Sequence, residues 1–197
     1  MKKVYWFRNK QSLTESQVGN YHYLKKGLHL AKNTRGIKMQ FLTIGVYGFT
    51  EVEFFEALVK NQVDLFIDIR QRRGVRGKKY SFVNSKYLQN KLKELGIQYI
   101  HKKELAPTNE IREAQKKADE LNRVSKSQRM QLGTVFRDKY ILTILDNFEL
   151  EQLTEKLETQ YENAVLFCVE STPKACHRGI IAEKLTQLGY STRHIIK

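Results

Sequence analysis

From Phe41 onward the chain alternates apolar runs with amphipathic stretches. Phe41-Leu42-Thr43-Ile44 reads as a strand, and Glu51 to Lys60 as a helix capped by Thr50, with Glu53 at the spacing of a capping box. Val63 to Ile69 is a near-continuous apolar run, the pattern of a strand covered on both faces. Asn84 or Ser85 opens a helix that reaches Leu95 and stops at Gly96, and Ile97 to Ile100 follows as a third strand. Residues 108–132 carry many charges and few large apolar side chains, which predicts a long exposed helix or an insertion. One or two helices between Arg137 and Tyr161 lead to Ala164–Val169, the most hydrophobic strand and the expected centre of the sheet. A helix from about Lys174 to Leu188, ended by Gly189, precedes a last short strand from Thr192 to Ile196. Such alternation predicts a single α/β domain built on a mostly parallel open sheet with helices on both faces.

Residues 1–38 show no sustained period of either kind and read as a basic arm or extension. Met39 stands directly before the first strand, so the α/β domain is expected to span 39–197. The chain has 35 Lys and Arg against 21 Asp and Glu, a formal charge of +14, which favours encounter with polyanions. More than half of that excess lies before Met39, where nine basic residues meet Glu15 alone, so the charge says little about the domain itself. No apolar run approaches the ~20 residues of a membrane helix, and the first residues, MKKVYWFRNKQS, lack the apolar segment of a secretory signal. No membrane partner and a cytoplasmic location are therefore expected. Two cysteines with no C-x-x-C or paired Cys/His spacing give neither a disulfide framework nor a zinc motif, and no metal is assigned.

In parallel sheets ligands bind beyond the carboxyl ends of the strands. Asp68 and Arg70 follow the second strand, and then Arg72, Arg73, Arg76, Lys78 and Lys79 make a basic loop without an acid, in which Gly74 and Gly77 permit close backbone approach. His101 and Glu104 follow the third strand. After the fourth come Glu170 and then Cys176-His177-Arg178 at the mouth of a helix.

These residues resemble a known family, the domain of unknown function called DUF488. The resemblance rests on Thr43-Ile44-Gly45, Asp68-Ile69-Arg70, Phe82 with Asn84, Tyr99-Ile100-His101 with Glu104-Leu105, Cys168-Val169-Glu170, Cys176-His177-Arg178 and His194-Ile195, in order over residues 42–195. It departs in two places. Val46 and Tyr47 stand where the family's first strand continues with His and Ser, and Ala106-Pro107 replace a glycine after the Glu-Leu pair. The resemblance implies the fold more firmly than any reaction.

Chemistry must then be read from the residues. Cys176, at a helix N-terminus beside His177 and Arg178, sits where a thiol becomes reactive; its other reading is a small packing residue, and the Cys-x5-Arg of a phosphatase loop is absent. Cys168, inside the apolar strand, reads as core. Arg70 and Arg178 can clamp a phosphate or carboxylate, or merely pair with Asp68 and Glu170. His177 can exchange protons near neutral pH or cap its helix. Asp68 and Glu170 form a carboxylate pair suited to acid–base work, or accept loop amides. Glu104 and His101 are expected to face the same cleft, and His194 to be peripheral or buried. Arg72, Arg73, Arg76, Lys78 and Lys79, with Tyr80 and Phe82 behind them, can neutralise phosphates and stack bases, or form a solvated loop.

The expectation is a DUF488-like enzyme, a hydrolase or transferase of unidentified reaction and cofactor. Its substrate would bear phosphate, as a nucleotide or nucleic acid. Asp68, Glu170, Cys176 and His177 are the catalytic candidates, and Arg70, Glu104 and Arg178 the substrate-binding ones. The competing reading is a non-catalytic nucleic-acid-binding module that uses the 70–79 loop and the N-terminal arm. A thiol-based transfer or redox protein is a third.

Overall fold

The computed structural model describes residues 38–125 and 128–197. The expected basic arm up to Ile37, and Lys126 of the charged stretch, lie outside the described residues. The compact unit runs Lys38–Lys197. Lys38, expected as the end of the arm, already belongs to it: its Nζ donates to the Leu188 carbonyl at 3.3 Å and lies over the Tyr190 ring.

Strand β1 (Gln40–Gly45) is followed by helix α1 (Glu51–Lys60), β2 (Leu65–Asp68), α2 (Ser85–Glu94) and β3 (Gln98–His101). Then come α3 (Asn109–Leu121), α4 (Thr134–Tyr140), which runs on into a π turn over Ile141–Leu145, and α5 (Leu150–Glu158). The chain closes with β4 (Asn163–Cys168), α6 (His177–Gln187) and β5 (Ser191–Ile195). The five strands lie in the order β3-β2-β4-β1-β5, and every neighbouring pair is parallel. β4 is the central strand, as its apolar run predicts. All carboxyl ends therefore share one edge, where Gly45 lies level with Cys168, and Asp68 with both Phe167 and His101.

Period-two alternation divides the sheet between two cores. On β4, Ala164, Leu166 and Cys168 join one cluster with Ile111, Phe136, Tyr140, Ile180 and Leu185, under α3 to α6. Val165 and Phe167 join the other with Phe54, Leu58, Leu88 and Leu92, under α1 and α2. Helices thus cover both faces. The expected capping box forms: the Thr50 hydroxyl accepts from the Glu53 amide and the Glu53 carboxylate accepts from the Thr50 amide at 2.8 Å. The buried Asp64 accepts from the amides of Glu162 and Asn163 at 2.8 and 3.0 Å, which fixes where β4 begins.

Two sequence expectations are refined. The charged stretch folds into a helix only over Asn109–Leu121, because Asn122 and Arg123 leave helical geometry, Arg123 with φ of 53°. The last helix begins at His177 rather than near Lys174: Pro173–Ala175 forms a separate 3-10 turn, and Cys176 is extended, with φ −140° and ψ 144°. Cys176 is thereby the N-cap residue of α6. Glycine is required where the loop joining β4 to α6 crosses its neighbours. A Cβ on Gly45 would lie 1.8 Å from the Glu170 carbonyl oxygen, and one on Gly179 2.5 Å from that of Pro173.

Candidate functional site

A cavity of about 1020 Å³ opens at the carboxyl edge of the sheet, between the 70–76 segment, α3 and the loop that joins β4 to α6. Its floor is Cys168, Glu170, Cys176 and His177, and its walls carry Arg70, Arg72, Arg76, Arg112, Lys116, Arg123 and Arg129. Glu113, Asp119 and Glu120 also line it. Lys116 approaches Glu120 at 3.7 Å and Arg129 pairs with Asp119 at 2.7 Å, so part of the wall charge is already balanced.

The floor follows from two local features. Alternation on β4 aims Cys168 at the α6 side of the sheet, and the N-cap position of α6 places Cys176 and His177 against it. The Cys176 Sγ lies 3.7 Å from His177 Nδ1, and the Cys168 Sγ lies 4.0 Å from the same nitrogen. The Cys168 thiol donates to the Glu170 carboxylate at 3.2 Å. His177 Nε2 sits 3.2 Å from the Ile69 carbonyl oxygen, which can only accept, so Nε2 carries hydrogen and Nδ1 faces the sulfurs. Burial alone would push the Cys176 thiol up, but the Cys168 thiol and the adjacent His177 outweigh it and bring it down to about 5. The Cys168 thiol is pushed well up by its hydrogen bond to Cys176 and by burial. His177 is raised, since the charge and hydrogen bond of Cys176 overcome burial. Tyr140 packs 5.6 Å from the His177 ring and donates its hydroxyl to the Leu105 carbonyl at 2.6 Å. Such a floor can act as a nucleophile or as a set of soft metal ligands.

The other candidates separate into distinct places. Asp68 and Arg70 form a buried two-pronged pair: Arg70 Nε reaches Oδ1 at 2.8 Å and Nη2 reaches Oδ2 at 2.7 Å. Nη2 also donates to the Val83 carbonyl at 3.0 Å, and the guanidinium lies over the Phe167 ring. The Tyr99 hydroxyl donates to Asp68 at 2.9 Å, and burial followed by the Asp68 charge pushes its pKa up to about 12. Asp68 is thus held by its partners beneath the cavity, whereas Arg70 lines it, and Arg70 Nη1 is buried without a hydrogen-bond partner. Arg178 does not line the cavity. It is fully buried and donates to the carbonyls of Glu170 and Ser171 at 2.6 and 2.8 Å, tying down the loop that carries the floor. Of the loop cations, Arg72 and Arg76 reach the cavity, Arg73 approaches the Tyr99 hydroxyl, and Lys79 lies over the Tyr80 ring; Lys78 is exposed. Asn84 sits at the N-cap of α2 but spends its side chain on the Val75 amide at 2.7 Å, which anchors the basic loop. Glu104 is exposed and away from the cavity. His101 Nε2 meets the Arg70 carbonyl at 2.8 Å, and His194 Nδ1 meets the Thr43 hydroxyl at 2.8 Å on β5.

Sequence reasoning set two contributors outside the cleft: Cys168 as core, and Arg112 among the basic residues of an exposed helix able to meet nucleic acid. Cys168 is in the core as expected, yet it is also part of the floor; its place as the last residue of a strand was the available signal. Arg112, on the stretch read as an exposed basic helix, is half-buried at the cavity, where burial lowers its pKa and Arg72 and the Glu170 carboxylate are charged neighbours.

The fold and this placement define a parallel α/β protein whose polar side chains converge beyond the strand carboxyl ends. The chain belongs to the DUF488 family, a domain of unknown function, whose model matches residues 51–185. Asp68-Ile69-Arg70, Cys168 and Cys176-His177-Arg178 all fall inside the matched region. No curated protein and no solved structure matches the chain. Among the described residues, no helix is long and apolar enough to cross a membrane.

Proposed function

We propose that the protein is an enzyme that binds a phosphate-bearing substrate, such as a nucleotide or a nucleic-acid end, in the cavity at the strand carboxyl ends. The phosphate is held by Arg70, Arg112 and the loop arginines Arg72 and Arg76, and its reacting bond is presented to the Cys168, Glu170, Cys176 and His177 floor for hydrolysis or group transfer. The observation that carries this reading is Arg70: a guanidinium held rigid by Asp68, lining the cavity, with one buried donor left unpartnered. A buried donor without an acceptor costs about 1 to 3 kcal/mol, which an anionic oxygen would recover. Asp68 is on this account a positioning residue for Arg70, and Arg178 for the floor loop.

Isothermal titration with AMP and with inorganic pyrophosphate tests it. Arg112→Ala is expected to weaken binding at least about tenfold, or roughly 1.4 kcal/mol, while leaving the urea midpoint close to that of the parent. Binding that ignores Arg112→Ala, collapses with salt and depends on Lys78 and Lys79 would instead favour a nucleic-acid-binding module working through the exposed loop.

A further inference from the structure

We propose that Cys168, Cys176 and His177 form a zinc site whose fourth position opens into the cavity. Their ligand atoms, two sulfurs and Nδ1, all lie within 4.8 Å of one another, and all three residues are buried. A tetrahedral zinc with Zn–S of ~2.3 Å and Zn–N of ~2.1 Å separates its sulfur and nitrogen ligands by about 3.6 Å. The S···N distances of 3.7 and 4.0 Å in this cluster need only a small contraction. The imidazole is already oriented for the task. Its Nε2 hydrogen is spent on the Ile69 carbonyl, the outer hydrogen bond that typically fixes a metal-bound histidine and aims its other nitrogen at the ion.

The donor set selects the metal. Two thiolates and one imidazole suit zinc far better than magnesium or calcium, which take oxygen ligands. Two thiolates also neutralise the dication, so the loaded site carries no net charge into a buried floor. Three protein ligands with an open fourth position is the pattern of catalytic rather than structural zinc. All three ligands line the cavity, and so does the Glu170 carboxylate, beside Cys168, where it can hydrogen-bond a water on the ion. Neither the seven residues between the cysteines nor the adjacency of Cys176 and His177 matches a common zinc motif, because the sheet and the α6 N-terminus supply the geometry instead. The ion site stands on its ligands alone; only its use as a Lewis acid on a phosphate-bearing substrate rests on the function proposed above.

The test is metal content of the full chain expressed with zinc supplied, desalted and analysed by plasma mass spectrometry. One zinc per chain is expected, falling to near zero in Cys176→Ser and His177→Gln. Replacement by cobalt should produce the visible bands of a tetrahedral ion with a sulfur charge-transfer band. Both thiols should resist a thiol reagent until a chelator is added. The last two readouts use the parent protein, so a variant that fails to fold leaves the proposal testable. Folded parent protein without zinc, without a cobalt spectrum and with chelator-independent thiol reactivity would overturn it. If AMP still binds in an Arg112-dependent manner in that case, the ion fails and the substrate reading stands. If zinc binds but no phosphate ligand does, the reverse holds.

Discussion

Arg178→Ala is expected to lower the unfolding free energy by on the order of 3 kcal/mol in urea titrations, a loss that no surface arginine among the described residues should approach. The guanidinium is wholly buried, and its two terminal nitrogens donate to the Glu170 and Ser171 carbonyls. Alanine removes these two donors from the Glu170 and Ser171 carbonyls and leaves a void at the base of α6. The same substitution loosens the only loop that carries Glu170 to Cys176. Any loss of ligand or metal binding in this variant should therefore accompany a lowered urea midpoint. A stable Arg178→Ala protein that has lost only ligand binding would show that the arginine touches substrate.

The second large effect concerns Asp68. Asp68→Asn keeps the shape of the side chain but leaves Arg70, about 4 % exposed, without its countercharge. Removing one partner of a buried ion pair typically costs about 3 to 5 kcal/mol. Adding Arg70→Met to Asp68→Asn should return part of that stability, because the uncompensated charge is then gone, while AMP binding is lost with the guanidinium. A double variant no more stable than the single one would mean that Arg70 is stabilised chiefly by the Val83 carbonyl and the Phe167 ring.

Much of the fold was legible because β1, β2 and β4 lie on largely apolar runs and α1 opens with a capping box, whereas β5 is mostly polar and was marked only by the glycine before it. The central position of β4 followed from Ala164–Val169 having no polar face to show to water. The start of α6 was misplaced because the Pro173 turn resembles a helical first turn in sequence, and only the extended backbone at Cys176 separates the two. At the site, Asp68 and Arg70 lie two residues apart at the end of a strand, on the same side of the sheet, so their mutual pairing was readable from alternation. The role of Arg178 was not: nothing local shows that a guanidinium will be consumed by backbone carbonyls. Cys168 and Arg112 join the floor and wall through tertiary packing of β4 against α6 and of α3 over the sheet edge. Neither contact has a counterpart in nearby sequence.

The most direct measurement is a crystal structure of the protein soaked with AMP. The account predicts the phosphate inside the cavity, within hydrogen-bond reach of Arg70 Nη1 and Arg112 and facing Cys176 and His177. Nucleotide bound only along the outer face of the 76–80 loop, with the cavity holding solvent alone, would contradict it.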